Sequence, residues 1–204
     1  MLEVIVRTTM SCRALRYATP VVADLAPKYT RPENERRFLV DPAAVEHTGP
    51  CQLFEDRYLS CGLLRLRRIT ELTTGERTFK LAKKFASASA FTRPLVCIYL
   101  DESEYEALAV LDGRELRKHR YHRENQGHRW AIDLFTGPLA DLALTEVETA
   151  TLDELHSLQP PPWASYEVTE DPFFSGGRLC DATLPELRAK LGARGLSLGS
   201  STVV

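Results

Sequence analysis

The chain has 204 residues, of which 44% are hydrophobic and 26% are charged, so it can bury a core in one sizeable domain without disulfide or metal support. Its net charge of −2 and its pI near 6.2 give no overall signal for nucleic-acid binding, and no segment is apolar over a membrane-spanning length. The five cysteines are scattered and form no C-x-x-C pair, which argues against a disulfide framework or a zinc site. Together with the absence of a signal-peptide core, they predict a cytoplasmic protein.

Three regions are expected along the chain. Residues 1–30 mix apolar and basic residues without a clean period, which predicts an N-terminal extension. Residues 31–194 carry a regular series of short apolar segments and form the predicted domain. Residues 195–204 are rich in Gly and Ser, which predicts a flexible C-terminal tail.

Eight segments of the predicted domain have the composition of β-strands. They span residues 33–40, 51–59, 63–69, 76–85, 94–100, 115–123, 128–135 and 142–149. One helix is predicted after the fifth strand, with Asp101 as its N-cap and Gly113 at its end, and a second is predicted at 184–192. Many short strands with few helices favour a β-sandwich or a β-barrel over a βαβ fold.

Charged side chains are sorted by strand within this series. In a strand, residues two apart point to the same face. Acids share a face on the first and last strands, bases share a face on strands between them, and Asp133 lies between two apolar neighbours. Such a face is either the solvated side of an ordinary sheet or a polyanion site, in which bases hold phosphate oxygens and carboxylates hold Mg²⁺ or Mn²⁺. If the sheet closes on itself, both sets of charges line one lumen.

In chain order, these segments resemble the motifs of the CYTH domain of triphosphate tunnel metalloenzymes. "ENERRFLV" resembles the family's E-x-E-x-K strand, "LLRLRRI" its R-x-R strand, and "TFK" its single-lysine strand. "RKHRY", "WAIDLFTG", "TEVE" and "YEVTEDPFFSGGRL" resemble the four motifs that follow. The resemblance covers residues 31–180. It implies a mainly β, α+β fold: a closed eight-stranded antiparallel barrel with helices packed outside.

The resemblance also implies a site. The implied metal ligands are Glu33, Glu35, Asp133, Glu146 and Glu148, with Mg²⁺ or Mn²⁺ as the cofactor. The implied triphosphate-binding residues are Arg65, Arg67, Lys80, Lys118 and Arg120. The implied catalytic residues are Glu33, Glu35, Arg37 and Glu148. Four further bases fall outside the motifs, and we interpret them as solvated outer charges: Arg36, Arg68, Lys83 and Lys84.

Arg37 departs from the family pattern, because it stands where the motif has a lysine. An arginine keeps the charge but presents a broader, permanently protonated fork. The change could slow hydrolysis or alter substrate choice, or it could be a benign variation, which we favour.

The activity that the resemblance implies is metal-dependent hydrolysis of a linear triphosphate, with inorganic tripolyphosphate as the preferred substrate. We expect no nucleic-acid or membrane partner and a monomer or homodimer. Within the family, the alternatives are hydrolysis of nucleoside or thiamine triphosphate and class IV adenylyl cyclisation. Outside that set, the alternatives are a non-catalytic polyphosphate-binding module, suggested by Arg37, and a plain β-sandwich interaction domain with solvated charged faces.

Overall fold

The computed structural model describes residues 27–41, 45, 49–60, 63–140 and 142–196. The predicted extension at 1–30 and the predicted tail at 195–204 therefore lie almost entirely outside the described residues. None of the described helices is long and apolar enough to cross a membrane.

Strands dominate the part of the chain that the structure describes. The strands are β1 Arg31–Val40, β2 Gln52–Leu59, β3 Leu64–Glu71, β4 Arg77–Lys84, β5 Thr92–Leu100, β6 Gly113–Asn125, β7 His128–Phe135, β8 Ala143–Thr149 and β9 Ala164–Glu167. The helices are α1 Glu102–Ala109, α2 Leu152–Ser157, α3 Gly176–Leu179 and α4 Leu184–Gly192, with short 3₁₀ turns at Gly137–Leu139 and Pro172–Phe174.

The first eight strands close into a barrel. They pair in the order β5-β4-β3-β2-β6-β7-β8-β1, every pair is antiparallel, and β1 also pairs with β5. The closing contact is short, because β5 covers only the first half of one β1 edge, over Arg31–Asn34. Strand β9 pairs with the second half of that edge. The predicted closed eight-stranded barrel is confirmed, and the β-sandwich alternative is wrong.

All eight predicted strands are present, with ends shifted by at most two residues. A tight hairpin joins β6 and β7: Asn125 pairs with His128 across a turn in which Gln126 and Gly127 have φ values of 53° and 76°. Two consecutive positive φ values match the twist of antiparallel strands. Three elements were not predicted, namely α2, α3 and β9, and each is six residues or shorter.

The predicted role of Gly113 as a helix terminator is wrong. Helix α1 ends at Ala109 with Val110 as its C-cap, and Gly113 is the first residue of β6. A Cβ atom at this position would lie 2.6 Å from Cγ of Arg57 and 2.9 Å from the backbone oxygen of Tyr58. The glycine is therefore required by the close approach of β6 to β2, because a backbone oxygen cannot move aside without disturbing the strand pair.

Apolar packing closes one end of the barrel. Leu39, Leu116, Phe135 and Leu144 belong to a buried cluster that also contains Leu187 of α4, together with Phe174, Leu179 and Leu191. The outer faces of β1, β7 and β8 are covered as well, since Phe38, Trp130 and Val147 pack against Leu155 of α2. Near this packed end the three strands are covered on both faces, so a charged residue that is buried on their inner face needs a partner inside the protein.

We predict that Gly113→Ala lowers the free energy of unfolding by about 1 to 3 kcal/mol, because the added methyl group overpacks the β2–β6 contact. Gly192→Ala is the matched control. A Cβ atom at Gly192, in α4, meets nothing within 4 Å. The Gly192→Ala control should have the same free energy of unfolding as wild type or a slightly higher one, since alanine is the better helix former. Urea unfolding of both variants measures the difference, and equal stabilities would contradict the steric explanation.

Candidate active site in the barrel lumen

Strand register places the predicted site residues on one face of the sheet. Residues that stand opposite each other in an antiparallel pair share a face. Glu35 stands opposite Glu148 and Arg37 opposite Glu146. In the same way, Arg120 stands opposite Asp133, and Arg67 stands opposite both Asp56 and Lys80. The shared face is the inner one, because Glu35 and Arg37 on it border the cavity described below.

Three glutamates meet at one point of this inner wall. Glu33, Glu35 and Glu148 each offer a carboxylate oxygen, and these oxygens lie within 4.8 Å of one another. The surrounding wall removes water from Glu148, and the neighbouring charges of Glu33 and Glu35 add repulsion, so the pKa of Glu148 is raised. Three oxygens that repel one another at this spacing fit a divalent cation, which favours carboxylate ligands. We call this group the acidic triad.

The two other predicted metal ligands, Asp133 and Glu146, pair with bases of the inner wall. Asp133, which is completely buried, accepts hydrogen bonds from Lys118 and, at 2.6 Å, from Nε of Arg120. Glu146 accepts from Nη2 of Arg120 at 2.9 Å and from Nε of Arg37 at 2.7 Å. Metal binding by Asp133 and Glu146 remains a prediction, and the acidic triad contains neither of them.

These contacts form a continuous chain of alternating charge across the inner wall. Burial alone would raise the pKa of Glu146, but Arg37, Lys118 and Arg120 outweigh it and lower that pKa well below its ordinary value. The pKa of Asp133 is lowered in the same way by Arg120 and Lys118 against the effect of burial. Both acids are therefore ionised at neutral pH, and their charges hold the basic side chains in place.

Arg37 lies at the end of this chain and contacts three different elements. Its guanidinium donates to Glu35 of the acidic triad, to Glu146 on β8, and at 3.1 Å to the backbone oxygen of Phe174. Its backbone N–H donates to Oγ1 of Thr169. Arg37 thereby connects the acidic triad to the segment that closes the apolar end of the barrel.

Asp56 is a buried member of the inner wall that the sequence analysis missed. It accepts hydrogen bonds at 2.5 and 2.7 Å from the guanidinium of Arg67. Burial would raise the pKa of Asp56, but Arg67 and Arg65 lower it well below the usual range. The two-residue spacing of Asp56 from Phe54 and from Tyr58 could have indicated this position, since all three share the inner face of β2.

A cavity of about 340 Å³ opens beside the acidic triad. Its charged lining residues are Glu33, Glu35, Arg37, Arg65, Lys84, Arg93, Arg114 and Arg178. Arg65 is the only predicted phosphate-binding residue among those lining residues. Its Nε is buried, and no hydrogen-bond partner is described for it. A buried donor without a partner is costly, so Arg65 brings an unsatisfied donor to the wall of the cavity.

The interpretation of Lys84 as an outer charge is wrong. Its ammonium pairs with Glu33 and lies 3.7 Å from an oxygen of Glu35. Burial opposes the charge on Lys84, but Glu35 and Glu33 outweigh it and raise its pKa. The sequence did indicate the inner position of Lys84, because Lys84 is four residues from Lys80 and residues four apart on a strand share a face.

The other predicted phosphate-binding residues lie outside the cavity lining. Arg67, Lys118 and Arg120 are engaged by Asp56 or Asp133, as described above, and the ammonium of Lys80 lies 4.7 Å from the ring centre of Tyr99. Their roles toward phosphate remain predictions. Arg36 and Arg68 lie on the outer face of their strands and pair with Glu167 and Glu55 respectively. Arg68 is partly exposed, as expected, but the interpretation of Arg36 as a solvated charge is wrong, because its side chain is largely buried and also donates to the backbone oxygen of Leu158.

No family model matches this chain. The chain is 33% identical over 147 residues to an inorganic triphosphatase of Nitrosomonas europaea, an alignment that covers 68% of this chain and 90% of the relative. Two solved structures are similar at 27% identity over 74% of this chain. One is described as an inorganic triphosphatase, with a TM-score of 0.50 and 95% of its chain covered. The other is described as a hypothetical protein, with a TM-score of 0.51 and 99% of its chain covered.

We predict that Asp56→Asn lowers the free energy of unfolding at pH 7 by about 3 to 5 kcal/mol, because it leaves the buried guanidinium of Arg67 without a carboxylate. The contribution of an acid with a lowered pKa is present above its unfolded pKa and is lost as the pH falls toward its folded value. The difference between wild type and variant should therefore shrink as the pH falls below about 3.9. Urea unfolding at several pH values measures it.

Glu55→Gln is the control for this experiment, since Glu55 lies on the opposite face of β2 and pairs with Arg68. Its pair is more exposed, so the expected loss is about 1 kcal/mol or less. Equal losses for the two variants would contradict a special role for the inner pair.

Proposed function

This chain belongs to the CYTH/triphosphate tunnel metalloenzyme family, and from that membership we propose that it hydrolyses a linear triphosphate, with inorganic tripolyphosphate as the preferred substrate. The Nitrosomonas europaea relative is an inorganic triphosphatase, which supports the reaction class. The observation that carries the proposal is the arrangement of the lumen. Glu33 and Glu35 of the acidic triad border the same cavity as Arg65 and Lys84, so carboxylates for a cation and bases for phosphates face one space.

The acidic triad is the proposed site of the metal ion, Mg²⁺ or Mn²⁺. Its three carboxylates are hard oxygen ligands, and the pKa of Glu148 is raised by burial first and then by the negative charges of Glu33 and Glu35 beside it. When bound, such an ion neutralises phosphate oxygens and so lowers the barrier to attack by water. Asp133 and Glu146 have a different proposed task, which is to hold the basic side chains of the inner wall in position.

The basic residues provide the remaining electrostatic stabilisation. The unpartnered Nε of Arg65 donates to a phosphate oxygen, and Arg93 and Arg178 add positive charge on the cavity wall. Fixed donors of this kind are most effective where charge grows in the transition state, since they need no reorganisation. Arg67, Lys118 and Arg120 are the proposed second set of phosphate-binding residues, held in position by Asp56, Asp133 and Glu146.

In the proposed reaction, water attacks the terminal phosphorus in line with the leaving diphosphate, and orthophosphate is released. Glu148, the most exposed member of the acidic triad, orients this water by accepting its hydrogen bond. Arg37 holds Glu35 and the closing segment together, which supports a positioning role and favours a benign replacement of lysine by arginine.

We also propose that the protein is cytoplasmic and that it is a monomer or a homodimer. Cys51, Cys97 and Cys180 are free thiols in the described part of the chain, as expected in a reducing compartment.

A substrate panel tests the proposed activity. The protein is incubated with tripolyphosphate, ATP or thiamine triphosphate in Mg²⁺ or Mn²⁺, with and without EDTA, and orthophosphate and cyclic AMP are measured. We expect the fastest orthophosphate release from tripolyphosphate and no release in EDTA. Cyclic AMP as the main product from ATP would identify a cyclase instead. Tight tripolyphosphate binding without release at any metal concentration would identify a binding module.

Arg65→Ala should lower kcat/KM for tripolyphosphate by about two orders of magnitude, because it removes a donor aimed at the substrate. Arg68→Ala is the matched control: Arg68 lies on the same strand but on the outer face, where it pairs with Glu55. The control should keep the wild-type rate. A similar loss of kcat/KM in both variants, or no loss in Arg65→Ala, would show that Arg65 does not bind the substrate.

A further inference from the structure

Lys84 pairs with two of the three carboxylates that are expected to bind a metal ion. It is the last residue of β4, and its register partner on β5 is Leu95, so it faces the inside while its neighbour Lys83 faces out. Its ammonium contacts Oε2 of Glu33 and lies 3.7 Å from Oε2 of Glu35. Two carboxylates of the acidic triad are therefore occupied by a side chain of the protein itself.

A lysine and a divalent cation compete for these oxygens. A divalent cation at the acidic triad would take oxygens that Lys84 now contacts, and two positive charges at that distance repel each other. The ammonium group has room to leave, because Lys84 borders the cavity and its side chain is 30% exposed. Its flexible four-carbon stem and three donors also allow the ammonium to change partners at little cost.

Arg37 is not free to move in the same way. It also contacts Glu35, but it is fixed by Glu146 and by the backbone oxygen of Phe174, on two other elements. In the part of the chain that the structure describes, the ion pairs of Lys84 are those with Glu33 and Glu35. The inner wall thus has one anchored base and one exchangeable base beside the same glutamate.

We propose that Lys84 is an exchangeable counter-ion of the acidic triad. Without a metal ion, its ammonium neutralises Glu33 and Glu35; when a divalent cation takes those carboxylates, the ammonium turns into the cavity and binds a phosphate oxygen of the substrate. The role rests on the proposed function and deepens it, because it makes metal binding prepare the phosphate site. The coupling is reciprocal, so bound triphosphate strengthens metal binding by the same factor.

Lys84→Met tests the competition without any turnover. Binding of Mn²⁺ to the protein alone is followed by the loss of the free-ion electron paramagnetic resonance signal. We expect the variant to bind Mn²⁺ about tenfold more tightly than wild type, because one competing unit charge a few ångström away is gone. Lys83→Met is the matched control, since the ammonium of Lys83 lies on the outside, 5.0 Å from the ring centre of Phe85. It should bind Mn²⁺ as wild type does.

The same titration with a methylene-bridged triphosphate, which cannot be hydrolysed, tests the exchange. This analogue should strengthen Mn²⁺ binding by a larger factor in wild type and Lys83→Met than in Lys84→Met. Equal factors in all three proteins, or Mn²⁺ binding in Lys84→Met that is unchanged or weaker without the analogue, would overturn the proposal. If Lys84→Met fails to fold, Lys84→Gln, which keeps a polar side chain, decides the question by the same two measurements.

This result is separate from the outcome of the substrate panel. If the wild-type protein releases no orthophosphate, the proposed hydrolase activity is wrong. Tighter Mn²⁺ binding by Lys84→Met would still establish Lys84 as the counter-ion in that case. Conversely, if the wild type is active and Lys84→Met binds Mn²⁺ as wild type does, the proposed hydrolase activity stands and the proposed role of Lys84 as a counter-ion is wrong.

Discussion

Charge compensation inside a closed barrel is the constraint on which this structure depends. An ionised group away from water is tolerated only when it is paired, and strands β1, β7 and β8 are covered on both faces. Their inner charges are accordingly arranged in alternation, from Lys118 through Asp133 and Arg120 to Glu146 and Arg37. The acidic triad departs from that balance, and the excess of negative charge there makes it the place for a divalent cation.

The apolar end of the barrel gives the site its position along the lumen. Leu39 and Leu144 on the inner faces of β1 and β8 pack against the C-terminal segment, while Glu35 and Glu148 on the same strands lie four residues away from them. One strand pair thus contributes both to the packed end and to the open, charged part. Arg37 stands between them and connects the two, which explains why a planar fork with several donors suits this position.

Much of this arrangement could be predicted from the sequence, because it follows from two-residue spacing. Glu33 and Glu35, or Arg65 and Arg67, must share a face wherever the strand lies, and short strands at close spacing favour a barrel. The partners across strands could not be predicted, since register depends on the whole closed sheet. Asp56 therefore went unnoticed as the partner of Arg67, and Lys84 was assigned to the outside although its spacing from Lys80 placed it within. Strand β9 was missed because it is only four residues long and is fixed by pairing with β1. Helix α2 was missed although it has a local signal, since its N-cap Thr151 accepts from the backbone N–H of Glu154.

The central claim is that metal and phosphates meet inside the barrel, between the acidic triad and the basic wall. A crystal of the protein with Mn²⁺ and a methylene-bridged triphosphate tests it directly through the anomalous scattering of manganese. The account predicts a manganese peak within coordination distance of Glu33, Glu35 and Glu148, with the phosphate chain in the cavity beside Arg65. A manganese peak away from these three carboxylates, or an anion bound on the outer surface of the barrel, would contradict it.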